Sequence, residues 1–201
     1  YAKCGFLAKA QQVLDGLLVR NIVSWSTLIA GYTHQGQGHN ALDCFERMQS
    51  EGFSPDLVTY IYAFKACGIV GSIDKGKQIH DTVVCRGLIQ KDNVLGNALV
   101  DMYAKCGTLL EAQKVLKELP VRDVVSWNSL IAGYAQCGRF HAALNTLEEM
   151  QCDGISPDAV TFICCLRACA SLQTIDKGKQ IHEKIESENL LDKDIVLGAA
   201  L

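Results

Sequence analysis

Apolar side chains recur along this chain at helical spacing, in short runs that glycine or proline cuts off. In residues 93–106, Leu95, Leu99, Met102, Tyr103 and Cys106 stand at i, i+4, i+7, i+8 and i+11, one stripe of an amphipathic helix. Gly107 ends that run. Leu109, Ala112, Leu116 and Leu119 mark a second stripe at i, i+3, i+7 and i+10, stopped by Pro120. The stretch 124–158 behaves alike: Gly138 separates two helical runs, and the segment from Gly154 to Pro157 closes the second. Two short amphipathic helices bury too little apolar surface to stand alone, whereas stacked pairs cover one another's stripes. The pattern predicts an all-α chain, an α-solenoid of helix-turn-helix repeats.

Sliding the sequence by 102 residues lays YAKCG at 1–5 on YAKCG at 103–107, and IDKGKQIH at 73–80 on IDKGKQIH at 175–182. Trp25 meets Trp127, Gly31-Tyr32 meets Gly133-Tyr134, and Ser54-Pro55-Asp56 meets Ser156-Pro157-Asp158. More than half of the 99 aligned pairs are identical, which marks a long internal repeat. Asp56, Asp92, Asp123, Asp158 and Asp194 subdivide it, with Asn21 in the matching place, at intervals of 35, 36, 31, 35 and 36 residues. The predicted motifs run 22–56, 57–92, 93–123, 124–158 and 159–194, with partial motifs at 1–21 and 195–201. The chain is expected to be an internal fragment of a longer array.

One segment imitates a different chemistry. GSIDKGKQIH, residues 71–80, nearly fits the phosphate loop G-x-x-x-x-G-K-S/T, with Gln78 where a magnesium-binding hydroxyl belongs. Under the 102-residue shift Gly71 becomes Gln173, while DKGKQIH is kept. A phosphate loop follows a strand, and this segment follows helix-like text, so a helical repeat element is expected instead.

Composition narrows the partners. The 201 residues are 49% hydrophobic and 20% charged, ordinary for an ordered soluble chain. No apolar run approaches a membrane span, and no membrane partner is expected. The chain opens without Met and without a charged-then-apolar leader, so any targeting peptide is expected to lie outside it. Net charge is −3, from 19 Lys+Arg against 22 Asp+Glu, which disfavours indiscriminate binding of a nucleic-acid backbone and leaves base recognition open. The 10 Cys include no C-x-x-C pair and are expected to be reduced, buried, small apolar residues rather than zinc ligands. His39, His80, His141 and His182 pair up under the 102-residue shift, and with His34 they suggest structure rather than one active site. No metal, cofactor or catalytic residue is expected.

The wording VVSWNSLIAGYAQCGRFHAALNTLEEMQCDGISPD, followed by AVTFICCLRACASL and IDKGKQIH, resembles pentatricopeptide repeats. The lengths 35, 36 and 31 resemble the plant class that alternates standard (P), long (L) and short (S) motifs. The tetratricopeptide pattern shares Trp127, Leu130, Gly133 and Tyr134 but has a uniform length, and a protein-binding scaffold of that kind is the alternative. The resemblance implies a right-handed superhelical α-solenoid that binds single-stranded RNA at about one base per repeat. It further implies a place in organellar RNA processing, most often C-to-U editing in mitochondria or chloroplasts, in company with other editing factors. The zinc deaminase signature H-x-E with P-C-x-x-C is absent.

Residue roles follow from the resemblance. In each motif the second residue sandwiches a base, and the fifth and last residues choose it. Val23, Val94 and Val125 then take the sandwiching places. Ser26 with Asp56 resembles a G-preferring pair, while Asn97 with Asp123 and Asn128 with Asp158 resemble U-preferring pairs. Ile61 with Asp92 and Ile163 with Asp194 are expected to be weakly read, because an apolar fifth residue forms no hydrogen bond. Ala199 is the fifth residue of a motif with no closing residue in the chain. The implied footprint is G-N-U-U-N, 5′ to 3′. The residue physics is compatible: Val94, Asn97 and Asp101 share a face apart from the Leu95/Leu99 stripe, and an ionised Asp123 only accepts hydrogen bonds, which suits the ring N–H of U or G. Asp123 and Asp158 are equally placed to cap the next helix, and the two roles are compatible. Trp25 and Trp127 are expected to pack between helices rather than stack on bases. Lys3 and Lys105 are candidates for phosphate contact or for an ordinary solvated face.

Overall fold

The computed structural model describes residues 6–17 and 19–187. Lys3, Asp194, Ala199 and the motif 195–201 lie outside the described residues. Among those described there are eleven α-helices and no strand. They are α1 (Leu7–Gly16), α2 (Ile22–His34), α3 (Gly38–Ser50), α4 (Leu57–Val70), α5 (Ile73–Cys85), α6 (Asn93–Lys105), α7 (Leu109–Glu118), α8 (Val124–Gln136), α9 (Phe140–Cys152), α10 (Ala159–Leu172) and α11 (Ile175–Ser187). None is long and apolar enough to cross a membrane. The chain divides into two compact units, Tyr1–Thr108 and Leu109–Leu201.

Caps set where the first helix of each pair begins. Asn21, Asp56, Asp92, Asp123 and Asp158 each accept the backbone N–H three residues on, at 2.8–2.9 Å, and so satisfy a donor that the helix cannot. In the first unit α2, α4 and α6 pack side by side, α3 sits over α2 and α4, α5 sits over α4 and α6, and α1 lies against α2. In the second unit α8 packs against α7, α9 and α10, and α10 also carries α11. Trp25, Phe45, Met48, Tyr60, Phe64, Leu95, Leu99 and Met102 fill the first unit's core, with Leu130, Ile131, Met150 and Phe162 buried in the second. Both Trp residues are buried, and the Arg47 guanidinium lies 5.4 Å from the Trp25 ring centre, so these indoles serve packing.

The near phosphate loop resolves into helix ends. Gly71 adopts φ +74° and closes α4, Ser72 N–H bonds the Cys67 carbonyl at 3.0 Å, and α5 starts at Ile73. The repeated IDKGKQIH carries an inter-helix clamp: Lys75 Nζ meets Glu46 at 2.6 Å, and the equivalent Lys177 meets Glu148 at 3.0 Å. A Cβ on Gly76 would stand 2.5 Å from Met102 Sδ, so this glycine lets α5 approach α6 closely. His80 reaches the Tyr103 hydroxyl at 2.8 Å.

One expectation needs correction. Among the described cysteines, all of them free, Cys44, Cys67, Cys165 and Cys169 are buried, but Cys85, Cys137 and Cys152 are exposed. Cys85 and Cys152 end second helices and Cys137 follows α8, so their positions escape the core that the apolar reading assigned them. Burial pushes the Cys67 and Cys165 thiols up to about 12, which keeps them neutral and suits their packing role. No group of metal-ligating side chains occurs among the described residues.

Candidate nucleic-acid interface

The candidate interface starts two residues past each cap. In the first unit Val23, Val58 and Val94 occupy the second helical position and are 68%, 49% and 58% exposed. In the second unit Val125 and Val160 do the same, at 54% and 53%. Single exposed valines are ordinary; a valine held in solvent at the same register of every capped helix is not. The sequence reading named Val23, Val94 and Val125 and missed Val58 and Val160. The signal was available, since both stand two residues after a capping Asp.

Three residues further along each helix the environment changes. Ser26 and Asn97 are buried, while Ile61, Asn128 and Ile163 are half-buried. Asn97 is thus more enclosed than a residue on an open polar face. The reason is lateral packing: α6 lies against both α4 and α5, and everything from Leu95 to Val100 is covered. The Ser26 hydroxyl donates to the Val23 carbonyl at 3.1 Å, leaving its oxygen lone pairs as acceptors.

The carboxylates divide by exposure. Asp56 is exposed, and its Oδ1 accepts both the Thr59 N–H at 2.8 Å and the Thr59 hydroxyl at 2.6 Å. Asp92, half-buried, caps α6 and closes the preceding motif, whose fifth residue is the apolar Ile61. Asp123 caps α8 with a reciprocal box, accepting Ser126 N–H at 2.9 Å while its own N–H reaches the Ser126 hydroxyl at 3.1 Å. Asn97 belongs to the first unit and Asp123 to the second. The other Asn/Asp pair closes directly within the second unit: Asn128 Nδ2 donates to Asp158 Oδ1 at 2.9 Å. The Thr161 hydroxyl donates to Asn128 Oδ1 at 2.5 Å, and Thr161 N–H donates to Asp158 Oδ1 at 2.9 Å. Thr161 was not singled out from the sequence.

Several cations of the chain are committed to carboxylates. Lys105 pairs with Asp101 one turn back at 2.7 Å, and its aliphatic stem runs beside Gly68. Arg20, Arg47 and Arg122 are held by Glu51, Asp15 and Asp153 at 2.6–2.8 Å.

Capped helical hairpins, stacked first helix against first helix within each unit and carrying an exposed valine at the same register of each capped helix, define a helical-repeat protein. Family models described as PPR repeat family, at residues 20–68 and 122–171, and PPR repeat, at residues 97–124, match the chain. The chain belongs to the pentatricopeptide repeat family. A chloroplastic pentatricopeptide repeat-containing protein of Arabidopsis thaliana is 35% identical over 201 residues, covering 100% of this chain and 32% of that relative. The chloroplastic protein CRR2 of the same plant is 40% identical over 187 residues, 91% of this chain and 28% of that relative. The chain therefore spans about a third or less of these relatives' length. Among solved structures, the pentatricopeptide repeat protein PPR10 in complex with an 18-nt psaJ RNA element superposes with a TM-score of 0.80 at 28% identity, over 94% of this chain and 29% of that one. The nuclear proteinaceous RNase P 2 of A. thaliana reaches 0.60 at 15% identity, over 83% of this chain and 38% of that one, a likeness of fold alone.

Proposed function

We propose that this chain is a sequence-specific single-stranded RNA-binding module of an organellar RNA-processing factor, with alternating standard, long and short motifs, and that the process served is C-to-U editing. The observation that carries the reading is the 2.9 Å bond between Asn128 and Asp158. It joins the fifth residue of one motif to its last residue, beside the exposed Val125. An amide and a carboxylate held together in a half-buried notch offer donors and acceptors to one base edge at a time. The PPR10 complex with its RNA element, and relatives named chloroplastic or mitochondrial, support RNA as the ligand and an organelle as the place. The proposed footprint is G-N-U-U-N, with Ser26/Asp56, Asn97/Asp123 and Asn128/Asp158 as readers and the Ile61 and Ile163 positions weakly read. Catalysis is assigned to no residue of this chain.

The test is equilibrium binding to single-stranded RNAs varied one base at a time. Asn128→Ser removes the amide, enlarges the notch and is expected to move preference at one position from U towards G. Unchanged selectivity at that base would refute the assignment.

A further inference from the structure

The hydroxyl of Thr161 does more than complete a helix cap. We infer that Thr161 is a positioning residue for base selection: it fixes which way the Asn128 amide faces. This rests on the reading of Asn128 and Asp158 as a base-selecting pair.

The hydrogen-bond directions carry the case. The Asp158 carboxylate oxygen accepts, so its Oδ1 draws the Nδ2 end of Asn128 towards it at 2.9 Å. The Thr161 hydroxyl has one proton and two acceptors within reach, Asn128 Oδ1 at 2.5 Å and Asp158 Oδ1 at 3.0 Å. The shorter contact goes to the amide, and the hydroxyl oxygen receives the Asp158 N–H at 3.1 Å. Both ends of the amide are therefore engaged in the correct sense. A flipped amide would set its oxygen against the carboxylate, acceptor facing acceptor. What remains on Asn128 is one N–H and one Oδ1 lone pair. That combination matches the N–H and carbonyl of uracil, whereas cytosine, with an acceptor at the ring nitrogen, asks for the reverse.

An internal control shows that the contact is not generic. Thr59 occupies the same place after Asp56, and its hydroxyl donates to the Asp56 carboxylate at 2.6 Å, because residue 26 is a serine already bonded to Val23.

The experiment compares the full chain with Thr161→Val, Thr161→Ser and Asn128→Ser, measuring affinity for RNAs that differ only in the base at the Asn128 position, and thermal melting. Thr161→Val is expected to lower the preference for U over C by about threefold to tenfold, the effect of losing one hydrogen bond. Thr161→Ser keeps the hydroxyl and is expected to keep the preference. In the Asn128→Ser background, Thr161→Val is expected to leave the ratio alone. A capping role alone would lower the melting temperature without moving the ratio, and that result, with Asn128→Ser still altering selectivity, overturns the inference. If Asn128→Ser changes nothing, the base-selecting reading itself fails. Should Thr161→Val not fold, Ser26→Asn builds the same trio with Asp56 and Thr59. It is expected to shift that site from G towards U, more sharply with Thr59 than with Thr59→Val; equal sharpness overturns the inference by a second route.

Discussion

At the scale of single residues the open question is what the recurring aspartates do, since every described one at a motif end caps a helix. Asp92 and Asp158 separate the two roles. Asp92 takes the Leu95 N–H at 2.8 Å, but the fifth residue of its motif is Ile61, which offers no hydrogen bond. Asp158 takes an equivalent backbone N–H and the Asn128 amide as well. Replacing either by Ala is expected to destabilise the chain by about 1 kcal/mol, the usual worth of a cap. Only Asp158→Ala is expected to relax base selectivity. Chemical denaturation beside RNA binding checks both, and a selectivity change in Asp92→Ala as large as that in Asp158→Ala would show that the carboxylates act on RNA without their fifth-position partners. The capping half of this was legible in the sequence, because Asp before an apolar helical run has a local meaning. The amide held by Thr161 was not, since it depends on two helices meeting 33 residues apart.

At the scale of elements, the helical pairs were legible from the apolar stripes, and Leu95, Leu99, Met102, Tyr103, Leu109, Ala112, Leu116 and Leu119 are all buried. The burial of Asn97 and the exposure of Cys85, Cys137 and Cys152 were not. Both follow from how neighbouring helices lie against one another, which a single-helix pattern does not encode. The two long repeats also differ in a turn. Gly71 ends α4 at φ +74°, and its counterpart Gln173 ends α10 at φ +54°, the one described residue other than glycine with positive φ. A side chain there crowds the backbone, by about 1 kcal/mol for a non-glycine residue in the left-handed region, partly offset by the greater freedom glycine recovers on unfolding. Gln173→Gly is therefore expected to stabilise the second unit by about 0.5 kcal/mol, visible as a small rise in melting temperature. Gln173→Val is expected to lower it, because β-branching worsens the same clash. A fall with Gly would mean that the Gln173 side chain contributes something its backbone conformation does not explain.

At the scale of the whole molecule, charge sets the kind of binding that is possible. The chain is acidic overall, at −3, and Arg20, Arg47, Lys75, Lys105, Arg122 and Lys177 are each paired with a carboxylate. A protein holding single strands by their phosphates shows log affinity falling with log salt at about −0.7 per phosphate neutralised. With these six cations engaged and the net charge negative, a slope of about −1.4 to −2.1 is expected, equivalent to two or three phosphates. Exposed valines and the amide–carboxylate notch, by contrast, act through stacking and short hydrogen bonds that salt screens little. Raising salt from about 50 to 300 mM should thus weaken all RNAs together while the ratio of U to C at the Asn128 position holds steady. Fluorescence anisotropy with matched RNA pairs measures both quantities in one titration. A slope steeper than about −4, or a U-to-C ratio that collapses as salt rises, would place recognition in the backbone charge instead of the bases.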